Sequence, residues 1–259
     1  FTTNLSDLVQ QNPDQYGAYG REAELGRLVR ILNQQKKNSA AILGEAGVGK
    51  TALVEELVKR IATNADILKG TLRQKRIYSL ELSALMENLD GGSFASNFHH
   101  LVAELKDNPD VLLFIDEMHE LIGTGAEGTS GMDAANILKP AIGRGEIQVI
   151  GATTTSEFKT YIESDTAMER RFDPILLAEF TPSQTKDALR RVATIMAKQS
   201  QVQVSDEVLD QIISFSDRYI TTQFFPEKAI TLLDNAMAEA LLAGRQSITE
   251  DDVAKSINE

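Results

Sequence analysis

Gly44-Glu45-Ala46-Gly47-Val48-Gly49-Lys50-Thr51 decides the reading of this chain. The stretch fits G-x-x-x-x-G-K-S/T, a loop built to hold phosphate. Glycines at 44, 47 and 49 let the backbone turn tightly and aim its N–H groups inward. Those groups, with the N-terminus of the helix that follows, form a cradle for anions. Lys50 adds a mobile cation for the β- and γ-phosphates of a nucleotide, and Thr51 offers a hydroxyl to Mg²⁺. The flanks supply the context such a loop needs. Ser39-Ala40-Ala41-Ile42-Leu43 is an apolar run of strand length, and Leu53, Val54, Leu57, Val58 and Ile61 recur at helical spacing.

Further along, Val111-Leu112-Leu113-Phe114-Ile115-Asp116-Glu117 joins five apolar residues to two carboxylates. A continuous apolar run reads as a strand buried on both faces, as in a parallel sheet. Carboxylates at its C-terminal end stand where α/β sheets keep their ligands. Asp116 would hold Mg²⁺, and Glu117 could polarise an attacking water as a base. Such a string is common by itself. It gains force from its place about 65 residues after Thr51.

The chain has 259 residues, 42% of them hydrophobic, enough for one large domain and a small one. It lacks cysteine, which excludes disulfides and thiolate metal sites and fits a cytoplasmic protein. No apolar run reaches the roughly 18 residues that span a membrane. The chain starts at Phe1 rather than Met, which reads as a piece of a longer protein. A net charge of −12 argues against a protein whose main task is to grip nucleic acid.

Around these motifs the pattern alternates. Residues 4–11 read as a short helix, 76–82 as a strand, 132–142 as a helix, 147–154 as a strand ending in hydroxyls, and 175–177 as the last strand. The expectation is an α/β nucleotide-binding core over 1–179, with a parallel five-stranded sheet between helices. After it the signals are helical. Thr181-Pro182-Ser183-Gln184 is a helix start with a threonine cap, proline at the first position and glutamine at the third. Apolar stripes at Leu189, Val192, Ile195 and Met196, then at Val208, Ile212 and Phe215, then at Ala229, Ile230, Leu233 and Met237, extend an all-α lid over 180–259.

In sequence order the pieces are the phosphate loop, the apolar-Asp-Glu strand, Met132-Asp133-Ala134-Ala135-Asn136-Ile137-Leu138-Lys139-Pro140, Gly151-Ala152-Thr153-Thr154, Glu169-Arg170-Arg171-Phe172 and Pro226-Glu227-Lys228-Ala229-Ile230. This set resembles the AAA+ P-loop NTPases, and within them the first ATPase module of the Clp chaperones and unfoldases. The resemblance covers nearly the whole chain. It implies ATP/ADP and Mg²⁺ as ligands, a ring (a hexamer in the full-length protein), unfolded or tagged proteins as substrates, and a protease ring as a partner in some members. Thr154 would be the sensor of the γ-phosphate. Arg170 and Arg171 would be arginine fingers reaching a neighbouring subunit's nucleotide. Ala18 and Tyr19 would lie beside adenine, with Ile220 and Ala229 closing that pocket from the lid. Lys228 stands near where many relatives place a sensing arginine.

Two departures are visible. The family's pore loop carries a tyrosine that grips the substrate chain. Here the matching stretch is Asp90-Gly91-Gly92-Ser93, with Phe94 close but shifted. Ser247-Ile248-Thr249-Glu250-Asp251-Asp252-Val253 follows the lid helix at once, which implies a layout without a coiled-coil insertion there. His99, His100 and His119 do not space like metal ligands and read as ordinary helix and strand-end residues. The leading reading is thus an ATPase module of a ring-forming protein unfoldase. A nucleotide-binding module that assembles the ring while another module pulls is the second. A DNA clamp loader or initiator is the third, opposed by the charge.

Overall fold

The computed structural model describes residues 1–13, 15–63, 65, 67, 68, 70–86, 94–123 and 129–257. Two compact units are present. Phe1–Gly44 and Lys50–Leu177 form one; Glu45–Gly49 and Ala178–Glu259 form the other.

The first unit is built on a six-stranded sheet. Its strands are β1 (Thr2–Asn4), β2 (Ser39–Leu43), β3 (Arg76–Leu80), β4 (Val111–Ile115), β5 (Val149–Thr153) and β6 (Phe172–Leu176), in the spatial order β1-β3-β4-β5-β2-β6. Five strands run parallel, as the apolar runs predict. The sixth, β1, adds antiparallel to β3 with Thr2 opposite Leu80. Three residues are too few to show an alternation, so β1 leaves no signal in the sequence. β2 and β5 are buried along their whole length, which explains why both read as unbroken apolar or small-residue runs. Pro174 sits in β6, at the sheet edge, where a missing N–H breaks no ladder bond on the open side.

The strand order positions the site. β2 comes first in sequence among the parallel strands yet lies between β5 and β6. The C-terminal ends of β2, β5 and β4 are therefore neighbours on one edge of the sheet, where parallel sheets bind ligands. Helix α3 (Lys50–Ala62) leaves directly from the phosphate loop and buries Leu53, Val54, Leu57 and Val58, the stripe expected from the sequence. Helices α1 (Leu5–Gln11), α2 (Glu22–Leu32), α4 (Leu82–Met86), α5 (Phe94–Asp107), α6 (Met118–Gly123), α7 (Thr129–Arg144), α8 (Thr155–Phe158) and α9 (Thr166–Glu169) complete this unit. One core cluster joins Phe98, Met118, Leu138, Phe158, Met168 and Phe172 to the buried faces of the strands.

The second unit contains α10 (Pro182–Ser200), α11 (Asp206–Tyr219), α12 (Glu227–Leu242) and α13 (Glu250–Ile257). The capping box at Thr181 forms as its sequence predicts. The Thr181 hydroxyl accepts from the Gln184 N–H at 3.3 Å, and the Thr181 N–H donates to Gln184 Oε1 at 3.0 Å. Leu189, Leu209, Ile212, Phe225, Leu233 and Met237 are among the side chains that fill its core.

Candidate functional site

The phosphate loop has the backbone its glycines allow. Gly47 and Gly49 have φ of +82° and +95°, values that strain any residue with a Cβ. Lys50 opens α3, is 7% exposed, and donates from Nζ to the Gly44 carbonyl at 2.9 Å. Its cation is thus folded back onto Gly44, the residue at which the loop starts. Val48 is buried, which anchors the loop.

Thr51 Oγ1 donates to Asp116 Oδ2 at 2.8 Å, so the two expected metal ligands from β2–α3 and β4 meet. A hydroxyl beside a carboxylate is a hard oxygen pair of the kind Mg²⁺ takes, and the residues present fit that ion. Asp116 Oδ1 accepts the Glu117 N–H at 3.0 Å. Glu117 itself has φ of +45°, left-handed backbone in a residue other than glycine. That conformation costs on the order of 1–2 kcal/mol and re-aims the side chain out of the strand direction. Burial pushes the Glu117 carboxyl above its ordinary value; Lys50 opposes this and Asp116 adds to it. A carboxylate raised in this way is a stronger proton acceptor.

β5 supplies the third corner. The Gly44 N–H donates to the Thr153 carbonyl at 3.2 Å, which ties the start of the loop to the end of β5. Thr154 caps α8: its hydroxyl accepts from the Glu157 N–H, and Glu157 Oε2 accepts from the Thr154 N–H at 3.0 Å. Thr153 Oγ1 also donates to Glu157 Oε2, at 2.8 Å. Burial alone would raise the Glu157 carboxyl, but these hydrogen bonds outweigh it and hold the group below its ordinary value.

His119, in the first turn of α6, belongs to the same cluster. Its Nδ1 lies 3.1 Å from Glu157 Oε2, 3.2 Å from Thr153 Oγ1 and 3.4 Å from Glu117 Oε2. The sequence reading treats it as an ordinary strand-end residue. The only local signal is its place two positions after Glu117.

The other expected residues fall as follows. Ala18 and Tyr19 are half-buried in a loop tied to α3, where Lys59 Nζ donates to the Tyr16 carbonyl at 3.4 Å. Gly17 has φ of +123°, and a Cβ there would lie 2.5 Å from Glu56 Oε2, so the loop's seat requires glycine. Arg170 is exposed just after α9. Arg171 instead donates to the Lys36 carbonyl at 2.9 Å, so the two arginines stand in different settings.

In the helical unit, Ile220 is half-buried at the end of α11, and Ala229 is fully buried in α12. Lys228 is 5% exposed. Its Nζ lies 3.7 Å from both Glu179 and Asp217 and 4.1 Å from the centre of the Phe225 ring. The pore-loop stretch, Asp90 to Ser93, lies outside the described residues, as does the Phe94 side chain.

A lysine-bearing glycine loop, a hydroxyl–carboxylate pair and a second carboxylate thus stand at the C-terminal ends of the parallel strands. The family pattern "ATPase family associated with various cellular activities (AAA)" matches residues 40–180, and the AAA lid domain matches 181–259. The chain belongs to the AAA family of ATPases. Among its curated relatives is the chaperone protein ClpB of Aquifex aeolicus, 39% identical over 243 residues, which are 93% of this chain and 24% of that protein. Another is the Clp protease ATP-binding subunit ClpC of Staphylococcus epidermidis, 40% identical over 225 residues, 86% of this chain and 27% of that one. The Hsp104–ADP complex of S. cerevisiae superposes with a TM-score of 0.87 at 32% identity, covering 99% of this chain and 44% of that one. The resemblance to Clp modules drawn from the sequence therefore holds. The chain spans about a quarter of the length of these curated relatives. Among the described residues no helix is long and apolar enough to cross a membrane.

Proposed function

We propose that this AAA chain binds and hydrolyses Mg²⁺–ATP as a module of a Clp-type, ring-forming protein unfoldase. The observation that carries this reading is the Thr51–Asp116 contact at 2.8 Å, between the residue that follows Lys50 and the residue that precedes Glu117 in the chain. Residues 1–179 act as the nucleotide-binding core and 180–259 as its lid. Gly44 to Thr51 hold the phosphates through backbone N–H groups and Lys50. Thr51 and Asp116 hold Mg²⁺, which neutralises charge developing on the phosphates. Glu117 takes the proton of the attacking water, and Thr154 reads the γ-phosphate. Ala18, Tyr19, Ile220 and Ala229 serve the adenine. Arg170 and Arg171 act on a neighbour's nucleotide, where a trans arginine is worth about 10³–10⁵ in rate in P-loop enzymes.

The assembly proposed is a hexamer in the cytoplasm that works on unfolded or tagged proteins, with or without a protease ring. The relatives' names and a solved complex of Hsp104 with casein support that substrate class. The absence of an aromatic from Asp90-Gly91-Gly92-Ser93 favours a second reading, in which this module assembles the ring and pulling is done elsewhere. Titration of Mg²⁺–ATP into the parent and the Lys50→Ala protein tests the site. The expected result is loss of tight binding in the variant, and unchanged affinity would refute the assignment.

A further inference from the structure

His119 touches both halves of the proposed catalytic apparatus. On one side is the Glu117 carboxylate at 3.4 Å; on the other is Glu157 at 3.1 Å, which closes the capping box that presents Thr154. We infer that His119 is a positioning residue for hydrolysis, holding the Glu117 carboxylate and linking it through Glu157 to the turn that carries Thr154. The inference rests on the reading of Glu117 as the base.

The donor pattern fixes the histidine's role. Thr153 spends its hydroxyl proton on Glu157 Oε2, so its oxygen faces His119 as an acceptor. The two glutamate oxygens are acceptors as well. Three acceptors around one ring nitrogen require that Nδ1 carry the proton. A donor shared among Glu117, Thr153 and Glu157 keeps the two carboxylates close where they would otherwise repel.

The link also answers a need of Glu117. Its backbone is left-handed, and its side chain is 45% exposed. Among the described residues, His119 is the one basic side chain within ion-pair distance of its carboxylate. Without that contact the carboxylate would sample several rotamers, and a base must stand within hydrogen-bond reach of its water. The ring itself is well placed to hold it, being 22% exposed and next to the fully buried Met118. Because Glu157 is bonded to both the Thr154 N–H and the Thr153 hydroxyl, a shift of the Thr154 turn moves His119 and Glu117 with it. The phosphate cradle makes no use of His119, so binding and turnover should separate.

The experiment measures ATP affinity, kcat and melting temperature of the full-length protein carrying His119→Ala, His119→Asn or Glu117→Gln. His119→Ala should bind ATP within about twofold of the parent while kcat falls about 10–100-fold, the scale expected of a misplaced catalytic group. His119→Asn, which keeps an N–H near Nδ1, should recover most of that loss. Parental kcat in His119→Ala, or equal losses in the Ala and Asn variants, would overturn the inference. If His119→Ala melts out, the comparison passes to His119→Phe, where activity equal to that of His119→Asn would overturn it. Glu117→Gln separates the two levels: if it turns over like the parent, the base assignment itself fails. If it is inactive while His119→Ala is normal, only the positioning role fails.

Discussion

Gly151→Ala should damage the site from inside the sheet. Gly151 lies in β5 beside Ile115 of β4, and a Cβ there would come within 2.3 Å of Met118 Sδ, 2.6 Å of its Cε and 3.3 Å of its Cβ. Met118 is fully buried and directly follows Glu117, so it cannot swing into solvent. Overpacking of this kind costs about 1–3 kcal/mol. For a chain of this size that is a fall of roughly 2–4 °C in Tm per kcal/mol. The strain also pushes α6 away from β5 and carries Glu117 and His119 off their partners. ATP affinity should therefore fall less than kcat. Met118→Ala alone should cost about 2–5 kcal/mol through its cavity. In the double variant the added methyl enters space that the sulfur has left. Its cost should be smaller than the sum of the single costs by about 1 kcal/mol or more. Thermal unfolding and steady-state turnover of all four proteins test this. A Gly151→Ala protein melting within about 1 °C of the parent with parental turnover would refute the reasoning.

Asp252 is fully buried and accepts from the Thr249 N–H at 2.8 Å and its hydroxyl at 2.7 Å, with Arg245 paired to its other oxygen. Burial would raise its carboxyl, but these bonds and Arg245 outweigh it and hold the group below the ordinary 3.8. The stability this contributes is present above that value and is lost as pH falls below it. Asp252→Asn should thus cost about 1–3 kcal/mol at neutral pH and flatten the acid side of a plot of melting temperature against pH. For the arginines, an Arg170→Ala, Arg171→Ala chain mixed with a Lys50→Ala chain should regain some ATP turnover, since one interface type then pairs intact fingers with an intact loop. Activity that neither rises with protein concentration nor recovers on mixing would place the arginines' action within one chain.

Local chemistry was legible wherever it is carried by neighbours in sequence. The phosphate loop between Ser39–Leu43 and Lys50–Ala62, the run Val111–Ile115, and the Thr181–Gln184 cap all announce themselves within a few residues. The sequence places strand β3 over 76–82, but it ends at Leu80, because α4 begins at Leu82. What was not legible depends on strand order. His119 reads as an ordinary strand-end residue until β4 and β5 lie side by side and bring Glu117, Thr153 and Glu157 around it. Arg170 and Arg171 look equivalent in sequence, and only the contact of Arg171 with the distant Lys36 carbonyl separates them. The left-handed backbone at Glu117 likewise has no sequence signal, since glutamate has no preference for it.

The central claim is that Asp116 and Glu117 complete an ATP-hydrolysing site on the Gly44–Thr51 loop. It is tested most directly by Glu117→Gln in the full-length protein, with Mg²⁺–ATP affinity and turnover measured on the same preparation. Removing only the proton acceptor should leave affinity within about threefold of the parent and lower kcat by about 10²–10⁴-fold. Turnover at the parental rate in a variant that still binds ATP would contradict the account.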